Sequence, residues 1–257
     1  MDSLFYAILW VKIIDPSKML LNNWERHSFL IKQTKNEDSA IYKLPEKYRV
    51  VFEADFNGRL HKVFAYKGET ILITGTNGAG KSKFLAYLVN DYKSQIILEN
   101  LKSAVTETIL MTMQEFQSTL SFLEQEPTLM SGTILDNLFV EKDMKESVLA
   151  VLDKYKGIKK VLHDHIINDK CFYTDTTEYR LKRVINLFRA LYLAENRDFL
   201  LFDGLDEDFI EEVIKNNKDK VILVTGIYKE ETGKKFDKVI KILNTTDSFI
   251  DITDDGK

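Results

Sequence analysis

The sequence predicts an α/β fold in which helices cover a mostly parallel β-sheet, accompanied by a smaller antiparallel part. Short apolar runs that resemble buried strands alternate with helical stretches, and this alternation favours parallel strands joined by helical crossovers. An Asn-Gly dipeptide between two strand-like runs predicts an antiparallel hairpin. The 257 residues, 44% of them hydrophobic, fit one large domain or one domain with an appendage.

The first 47 residues are predicted to be an N-terminal appendage, and residues 48–257 to be the main domain. A helical-looking stretch, 17–33, lies between Pro16 and Pro45. The apolar run 4–11 is far shorter than the roughly 20 residues that span a bilayer as a helix. It also lacks the basic region and cleavage site of a signal peptide, and we expect at most an amphipathic helix there.

The elements of the main domain are predicted from apolar periodicity and turn residues. Strands are predicted at 48–56, 59–66, 70–74, 95–98, 119–123, 198–202 and 221–225, and helices at 82–91, 101–116, 145–155, 179–194 and 209–216.

A glycine-rich loop falls between the predicted strand 70–74 and the predicted helix 82–91. It fits the pattern G-x-x-x-x-G-K-[ST] with Gly75, Gly80, Lys81 and Ser82. Glycines allow successive N–H groups to converge on phosphate oxygens, the lysine adds a mobile cation, and the serine hydroxyl can bind Mg²⁺. The predicted nucleotide-binding residues are Gly75, Thr76, Asn77, Gly78, Ala79, Gly80, Lys81, Ser82 and Lys83. The domain is therefore predicted to be a P-loop NTPase that binds ATP and Mg²⁺.

A second metal anchor is predicted at Asp203, which ends the apolar run beginning at Asp198. Ligands of such sheets bind beyond the carboxyl ends of the strands. Asp203 is therefore expected to bind Mg²⁺ together with Ser82.

Composition argues against other classes of partner and site. The formal net charge is −4, which gives no electrostatic reason to bind nucleic acid. The single cysteine, Cys171, suits a reducing cytoplasm and is expected to be a core thiol. His163 and His165 lack a clear third ligand, so they are expected to be solvated or core histidines.

Two segments resemble the nucleotide-binding domain of the ABC transporter superfamily, in its exporter-like branch. Residues 68–82 resemble that family's lead-in strand and Walker A motif, and residues 121–138 resemble its Q-loop, in which a strand ends in a glutamine. The resemblance covers about residues 48–250 and implies an antiparallel β-subdomain and a helical subdomain. It implies that Gln125 is a sensor that contacts Mg²⁺ and the attacking water.

Three features expected from the resemblance are absent. Residues 177–181 stand where the Leu-Ser-Gly-Gly-Gln signature should lie and share nothing with it. Gly204 replaces the catalytic glutamate that should follow Asp203, and Gly226 replaces the switch histidine. Asp206 and Glu207 are weak candidates for a substitute base. Because losing a general base lowers a rate by about 10² to 10⁴-fold, we expect ATP binding with weak or absent hydrolysis.

The resemblance also implies partners and a location. Family members dimerise head to tail, so a homo- or heterodimer with another ABC-type domain is expected, with a membrane permease as a further partner. Residues 19–27 faintly resemble the linker that follows an exporter's last membrane helix, and an accessory helix is an equal alternative. We expect a cytoplasmic chain, peripheral at the inner face of the cell membrane if a permease is its partner.

The sequence leaves three functions and one contact open. The leading hypothesis is an ATP-binding subunit of an exporter-like transporter or related complex. The alternatives are a nucleotide-gated regulatory or scaffold pseudo-ATPase without a transport role, and an active ATPase with a non-standard carboxylate. Tyr48, Phe52 and Phe56 are each candidates to stack on adenine.

Overall fold

The computed structural model describes residues 44–56, 59–90, 95–101, 107–127, 129–171, 177–243 and 248–251. They all belong to one compact unit that spans residues 41–257. The predicted N-terminal helix, the apolar run 4–11 and the Asn57-Gly58 turn lie outside the described residues. The boundary at residue 48 stays a prediction.

The described strands form two sheets, in agreement with the predicted parallel sheet and smaller antiparallel part. The strands are β1 (Tyr48–Phe56), β2 (Arg59–Tyr66), β3 (Thr70–Gly75), β4 (Gln95–Asn100), β5 (Glu107–Met111), β6 (Leu120–Leu123), β7 (Phe199–Asp203), β8 (Val221–Thr225), β9 (Lys238–Leu243) and β10 (Ser248–Asp251). The described helices are α1 (Lys81–Asn90), α2 (Met113–Thr119), α3 (Ile134–Leu138), α4 (Lys145–Leu152), α5 (Lys156–Ile167), α6 (Tyr179–Leu193), α7 (Glu207–Asn216) and α8 (Glu230–Gly233).

The larger sheet has the strand order β10-β9-β3-β8-β7-β6. Its pairs are parallel except for β9 with β10. Every residue of β7 and β8 is buried, as expected when helices cover both faces of a parallel sheet. The carboxyl ends of β3, β6, β7 and β8 lie along one edge, where Leu123 pairs with Phe202 and Asp203 pairs with Thr225.

The smaller sheet is antiparallel, with the order β2-β1-β4-β5. Its inner face packs through an aromatic cluster in which Phe199, at the start of β7, meets Tyr48, Phe52 and Phe116 with ring centroids 5.4–6.1 Å apart. Through these contacts, β1 of the smaller sheet packs against the first residue of β7 in the larger sheet. This arrangement confirms the predicted antiparallel β-subdomain.

The predicted helix at 101–116 is wrong. Residues 107–111 form strand β5, which pairs with β4 so that Met111 faces Ile96. The helix begins later, at Met113, where Thr112 and Glu115 form a capping box that satisfies the first backbone N–H groups. Cross-strand pairing, which periodicity does not reveal, decides the conformation of this short apolar run.

Helices α3 to α7 pack into one core with the faces of β7 and β8. Leu162, Phe188, Phe202 and Val224 are among its buried side chains. The predicted helix 145–155 ends at Leu152, and α5 follows it as a helix that the sequence analysis did not predict. In the described part of the chain, no helix has the length and apolar character needed to cross a bilayer.

Candidate nucleotide-binding site

The glycine-rich loop joins β3 to α1, as the sequence predicts. Gly75 has φ of 152° and Gly80 has φ of 94°, conformations that favour glycine. A Cβ atom on Gly75 would lie 2.7 Å from the carbonyl oxygen of Ile242 in β9, so the backbones approach closely there. A Cβ atom on Gly78 would meet nothing within 4 Å, so the loop is open on that side.

Lys81 begins α1 and folds back over the loop. Its Nζ donates to the carbonyl oxygens of Gly75 and Thr76, at 3.0 and 2.9 Å. Partial burial lowers the pKa of Lys81, and the negative charge of Asp203 opposes that shift. The ammonium thus lies at the loop with main-chain partners that a polyphosphate can replace.

Ser82 and Asp203 meet although they are 121 residues apart in sequence. The Ser82 hydroxyl donates to Asp203 Oδ1 at 2.9 Å, and the Thr225 hydroxyl donates to the same oxygen at 2.6 Å. Asp203 is nearly buried at the end of β7, and its two donors fix the direction of its carboxylate. The structure therefore brings the two predicted metal anchors into direct contact.

This donor set fits Mg²⁺ bound together with a nucleotide. Mg²⁺ needs six oxygen ligands and usually takes only one or two protein carboxylates, with phosphate and water oxygens supplying the rest. Ser82 and Asp203 provide one hydroxyl and one carboxylate beside an open phosphate loop. Among the described residues, no group of three or more His, Cys, Asp or Glu side chains could hold a metal by itself.

Gln125 lies just beyond the end of β6, beside Gly204. Its Cγ is 3.8 Å from the position that a Cβ on Gly204 would occupy, and its side chain is exposed. The strand register that pairs Leu123 with Phe202 places the two residues across from each other.

Lys83, the last predicted nucleotide-binding residue, has its ammonium 5.5 Å from the centroid of the Tyr87 ring.

Gly204 adopts a backbone conformation that suits glycine in particular. Its φ is 80°, and its N–H donates to the carbonyl oxygen of Thr225 at 3.1 Å. A side chain at this position would need the left-handed region, which L-residues with a Cβ adopt at a cost. The conformation of the loop after Asp203 therefore favours glycine at position 204.

Gly226 has a different reason to be glycine. A Cβ atom there would lie 2.4 Å from Cε2 of Tyr228, so the aromatic ring occupies the space beside residue 226. The Tyr228 hydroxyl donates to the carbonyl oxygen of Leu205 at 2.6 Å, and burial raises the pKa of Tyr228. Sequence reasoning missed Tyr228, and an aromatic residue two positions after Gly226 was the available signal.

The two candidate substitute bases are engaged by neighbouring side chains. Asp206 pairs with Arg183, whose Nη2 is 2.9 Å from Asp206 Oδ1. Glu207 Oε1 accepts a hydrogen bond from the hydroxyl of Thr232. A carboxylate already occupied in this way is a poorer acceptor for a water proton.

The signature position lies at the start of α6. Tyr179 is 50% exposed, and its hydroxyl lies 3.4 Å from Glu126 Oε2. The Arg180 side chain is 70% exposed and lies 3.8 Å from Asp208. These bulky side chains stand where the family resemblance predicts small residues that approach a partner's nucleotide.

The remaining candidates are sorted by burial. Tyr48 and Phe52 are fully buried in the aromatic cluster, so neither ring presents a face to an adenine, and the side chain of Phe56 lies outside the described residues. Cys171 is exposed, so its expected core position is wrong. His163 lies 3.2 Å from Asp164 on the surface of α5.

Comparison with known proteins identifies the family. The sequence model of the family described as ABC transporter matches residues 62–204, more than half of the chain. The chain is 26% identical over 186 residues to ABC transporter C family member 5 of Dictyostelium discoideum, which is 67% of this chain and 12% of the relative. It is 29% identical over 177 residues to the alpha-factor-transporting ATPase of Saccharomyces cerevisiae, 64% of this chain and 13% of the relative.

A shorter match covers the same kind of protein. The chain is 33% identical over 78 residues to the ABC-type transmembrane transporter verA of Clonostachys rogersoniana, which is 30% of this chain and 6% of the relative. The chain therefore spans only about a tenth of the length of the relatives it matches. Together with the phosphate loop and the two-sheet fold, the family match shows that this chain belongs to the ABC transporter family as a nucleotide-binding domain.

Proposed function

We propose that this chain binds MgATP at the phosphate loop and hydrolyses it slowly or not at all. The observation that carries the proposal is the contact between Ser82 and Asp203 beside the open glycine-rich loop. The groups needed to hold a nucleotide are present, whereas Gly204 and Gly226 have no side chain for general-base chemistry or for contact with the terminal phosphate.

Each residue of the loop has a defined role in this proposal. The main-chain N–H groups of residues 75–82 and the start of α1 surround the phosphates. Lys81 moves its ammonium from the carbonyl oxygens of Gly75 and Thr76 onto the β- and γ-phosphates. Ser82 and Asp203 would hold Mg²⁺, with Gln125 as a sensor at the edge of the site.

A bound Mg²⁺ ion would supply charge neutralisation to the phosphates. The Thr225 hydroxyl donates to Asp203 and so keeps its carboxylate directed towards Ser82. Direct cleavage of the nucleotide would need a proton acceptor for water. Asp206 and Glu207 are the nearest candidates along the chain. Asp206 already pairs with Arg183, and Glu207 already accepts a hydrogen bond from Thr232.

In the cell, we propose that the chain acts as the ATP-binding subunit of an exporter-like complex. The supporting observation is that the relatives it matches carry transporter names. Binding of ATP would close an interface with a second ABC-type domain and act on a membrane permease at the cytoplasmic face. The bulky residues Tyr179 and Arg180 would make the partner's nucleotide site non-standard.

The proposal is tested by isothermal titration of the full chain with ATP, in the presence of Mg²⁺ and in the presence of EDTA. We expect binding in both conditions and tighter binding with Mg²⁺, because Ser82 and Asp203 would supply oxygen ligands to the ion beside the phosphates. A chain that shows no heat and no competition with a fluorescent ATP analogue would contradict the proposal. If the chain binds ATP but pull-downs recover no transporter protein with it, the regulatory or scaffold alternative would be favoured.

A further inference from the structure

Arg183 joins two loops at the edge of the candidate nucleotide site. Its Nη2 donates to the carbonyl oxygen of Gly204 at 2.7 Å and lies 2.9 Å from Asp206 Oδ1, while its Nη1 donates to the carbonyl oxygen of Gln125 at 3.4 Å. One of these loops follows β6 and the other follows β7. A single side chain from α6 therefore joins the loop after β6 to the loop that begins directly after Asp203, at the end of β7.

We infer that Arg183 is a positioning residue for the Mg²⁺-dependent part of ATP binding. This inference rests on the proposed function. In that function Gln125 and Asp203 belong to the metal side of the site, whereas Lys81 and the loop amides belong to the phosphate side. Arg183 acts through the backbones of Gln125 and Gly204, so its removal loosens the metal side and leaves the phosphate loop intact.

Arginine is suited to this position by its shape. The planar guanidinium carries five N–H donors in a fixed fork, so it can serve a carboxylate and two separate carbonyl groups at the same time. A lysine ammonium keeps the charge but is a point donor on a flexible stem. Only 20% of the Arg183 side chain is exposed, so these contacts are only partly screened by solvent.

The helix that carries Arg183 is itself fixed to β6. The Ser121 hydroxyl in β6 donates to the carbonyl oxygen of Ala190 at 2.6 Å, and Asn186 Nδ2 donates to the carbonyl oxygen of Glu124 at 3.3 Å. Because α6 is held in this way, the position of the helix sets where Arg183 places the two loops.

The loop of residues 204–206 is also held from the opposite side. The Tyr228 hydroxyl donates to the carbonyl oxygen of Leu205, and the Gly204 N–H donates to the carbonyl oxygen of Thr225. These bonds come from β8 and the segment that follows it. Without Arg183, the loop would stay attached to β8 but would lose its attachment to Gln125 and to α6.

The test measures ATP affinity by titration, with Mg²⁺ and with EDTA, for the wild-type chain and for Arg183→Met. The Mg²⁺ gain is the ratio of the two dissociation constants. We expect Arg183→Met to reduce this gain by about 3- to 10-fold, the size of coupling that a residue outside the site commonly carries. The affinity in EDTA should change by less than about 2-fold, because Lys81 and the loop amides keep their places.

The matched control is Arg49→Met, which breaks another arginine–carboxylate pair. Arg49 Nη2 lies 2.5 Å from Glu99 Oε2 in the antiparallel sheet, so this variant loses a similar contact without touching the loops after β6 and β7. Its Mg²⁺ gain should equal that of the wild type. An equal reduction in both variants would overturn the inference, since it would reflect general loosening of the fold.

Arg183→Lys keeps the inference testable if Arg183→Met does not fold. It retains the charge opposite Asp206 but not the fork, and we expect an Mg²⁺ gain between those of the wild type and the methionine variant. The inference would be overturned if Arg183→Lys, or a folded Arg183→Met, showed the same Mg²⁺ gain as the wild type. A wild-type chain that binds no ATP would contradict the proposed function itself, which separates that failure from this one.

Discussion

The two sides of the candidate nucleotide site differ in the side chains that they carry. On the side proposed to hold the nucleotide, Lys81 donates to the carbonyl oxygens of Gly75 and Thr76, and the Ser82 hydroxyl donates to Asp203. On the opposite side, Gly204 and Gly226 have no side chain where the family resemblance predicts a glutamate and a histidine. Under the proposed function, the groups that would hold ATP and the positions where the family resemblance predicts groups for cleaving it therefore occupy separate parts of this fold.

The opposite side is also distinguished by its backbone conformation and its packing. Gly204 uses a positive φ of 80°, and the Tyr228 ring fills the space beside Gly226. A larger side chain would therefore strain the backbone at Gly204 and overlap the Tyr228 ring at Gly226. The comparison leads to four variants, ordered from the largest expected effect to the smallest.

Lys81→Ala should have the largest effect, because it removes the cation from the phosphate side. A hydrogen bond to a charged group contributes about 1.5–3 kcal/mol, so ATP affinity should fall by about 10- to 100-fold. Titration with MgATP measures this. Lys234→Ala, which removes a lysine that is 72% exposed and lies 3.5 Å from Glu230 on α8, should bind ATP like the wild type. Equal affinities for all three proteins would contradict the assignment of Lys81.

Gly226→Ala should destabilise the fold by about 1–3 kcal/mol, because the added methyl overlaps the Tyr228 ring and forces a rearrangement. Gly233→Ala is the matched control, since a Cβ on Gly233 meets nothing within 4 Å. Urea unfolding of the two variants gives the comparison. Equal stabilities would show that Tyr228 yields its position without cost.

Gly204→Glu should lower the free energy of unfolding by about 1–2 kcal/mol, the cost of placing a residue with a Cβ in the left-handed region. Gly204→Asn should be less costly, because asparagine adopts that region more readily. Denaturant unfolding measures both. We also expect no gain in phosphate release from Gly204→Glu, and a large gain would show that the loop can place a working carboxylate.

Tyr228→Phe should have the smallest effect of the four. It keeps the ring beside Gly226 and removes only the hydroxyl that donates to Leu205, so the expected loss is about 0.5–1.5 kcal/mol. Unfolding in urea at neutral pH measures it. A loss as large as that of Gly226→Ala would mean that the hydroxyl matters more than the packing of the ring.

Much of the fold could be predicted from the sequence, because local patterns dictate it. The Asn-Gly dipeptide marks the hairpin of β1 and β2, and the loop at residues 75–82 fits its motif between a strand and a helix. Asp203 could be predicted as a candidate metal ligand near this loop because it ends an apolar run that has the pattern of a buried strand. In these regions the local preferences and the tertiary structure agree.

The rest could not be predicted, because it depends on contacts between distant segments. Strand β5 is a short apolar run whose conformation is decided by its pairing with β4. Strand β9 pairs with β3, but its lysines, Lys238 and Lys241, are three residues apart, so the run lacks the strict alternation that indicates a half-buried strand. Arg183 and Tyr228 gain their roles only when α6 and the segment after β8 approach the loop at 204–206.

The central claim is that this site holds MgATP without efficient hydrolysis, and release of γ-phosphate tests it most directly. Purified chain is mixed with radiolabelled ATP and Mg²⁺ at a concentration that titration shows to be saturating, with Lys81→Ala as the background. We predict phosphate release no faster than in the Lys81→Ala sample while the nucleotide stays bound. Steady turnover that depends on Lys81 and reaches the ~1 s⁻¹ or more typical of enzymes would contradict the account. Substitution of Asp206 and of Glu207 would then show whether either supplies the catalytic carboxylate.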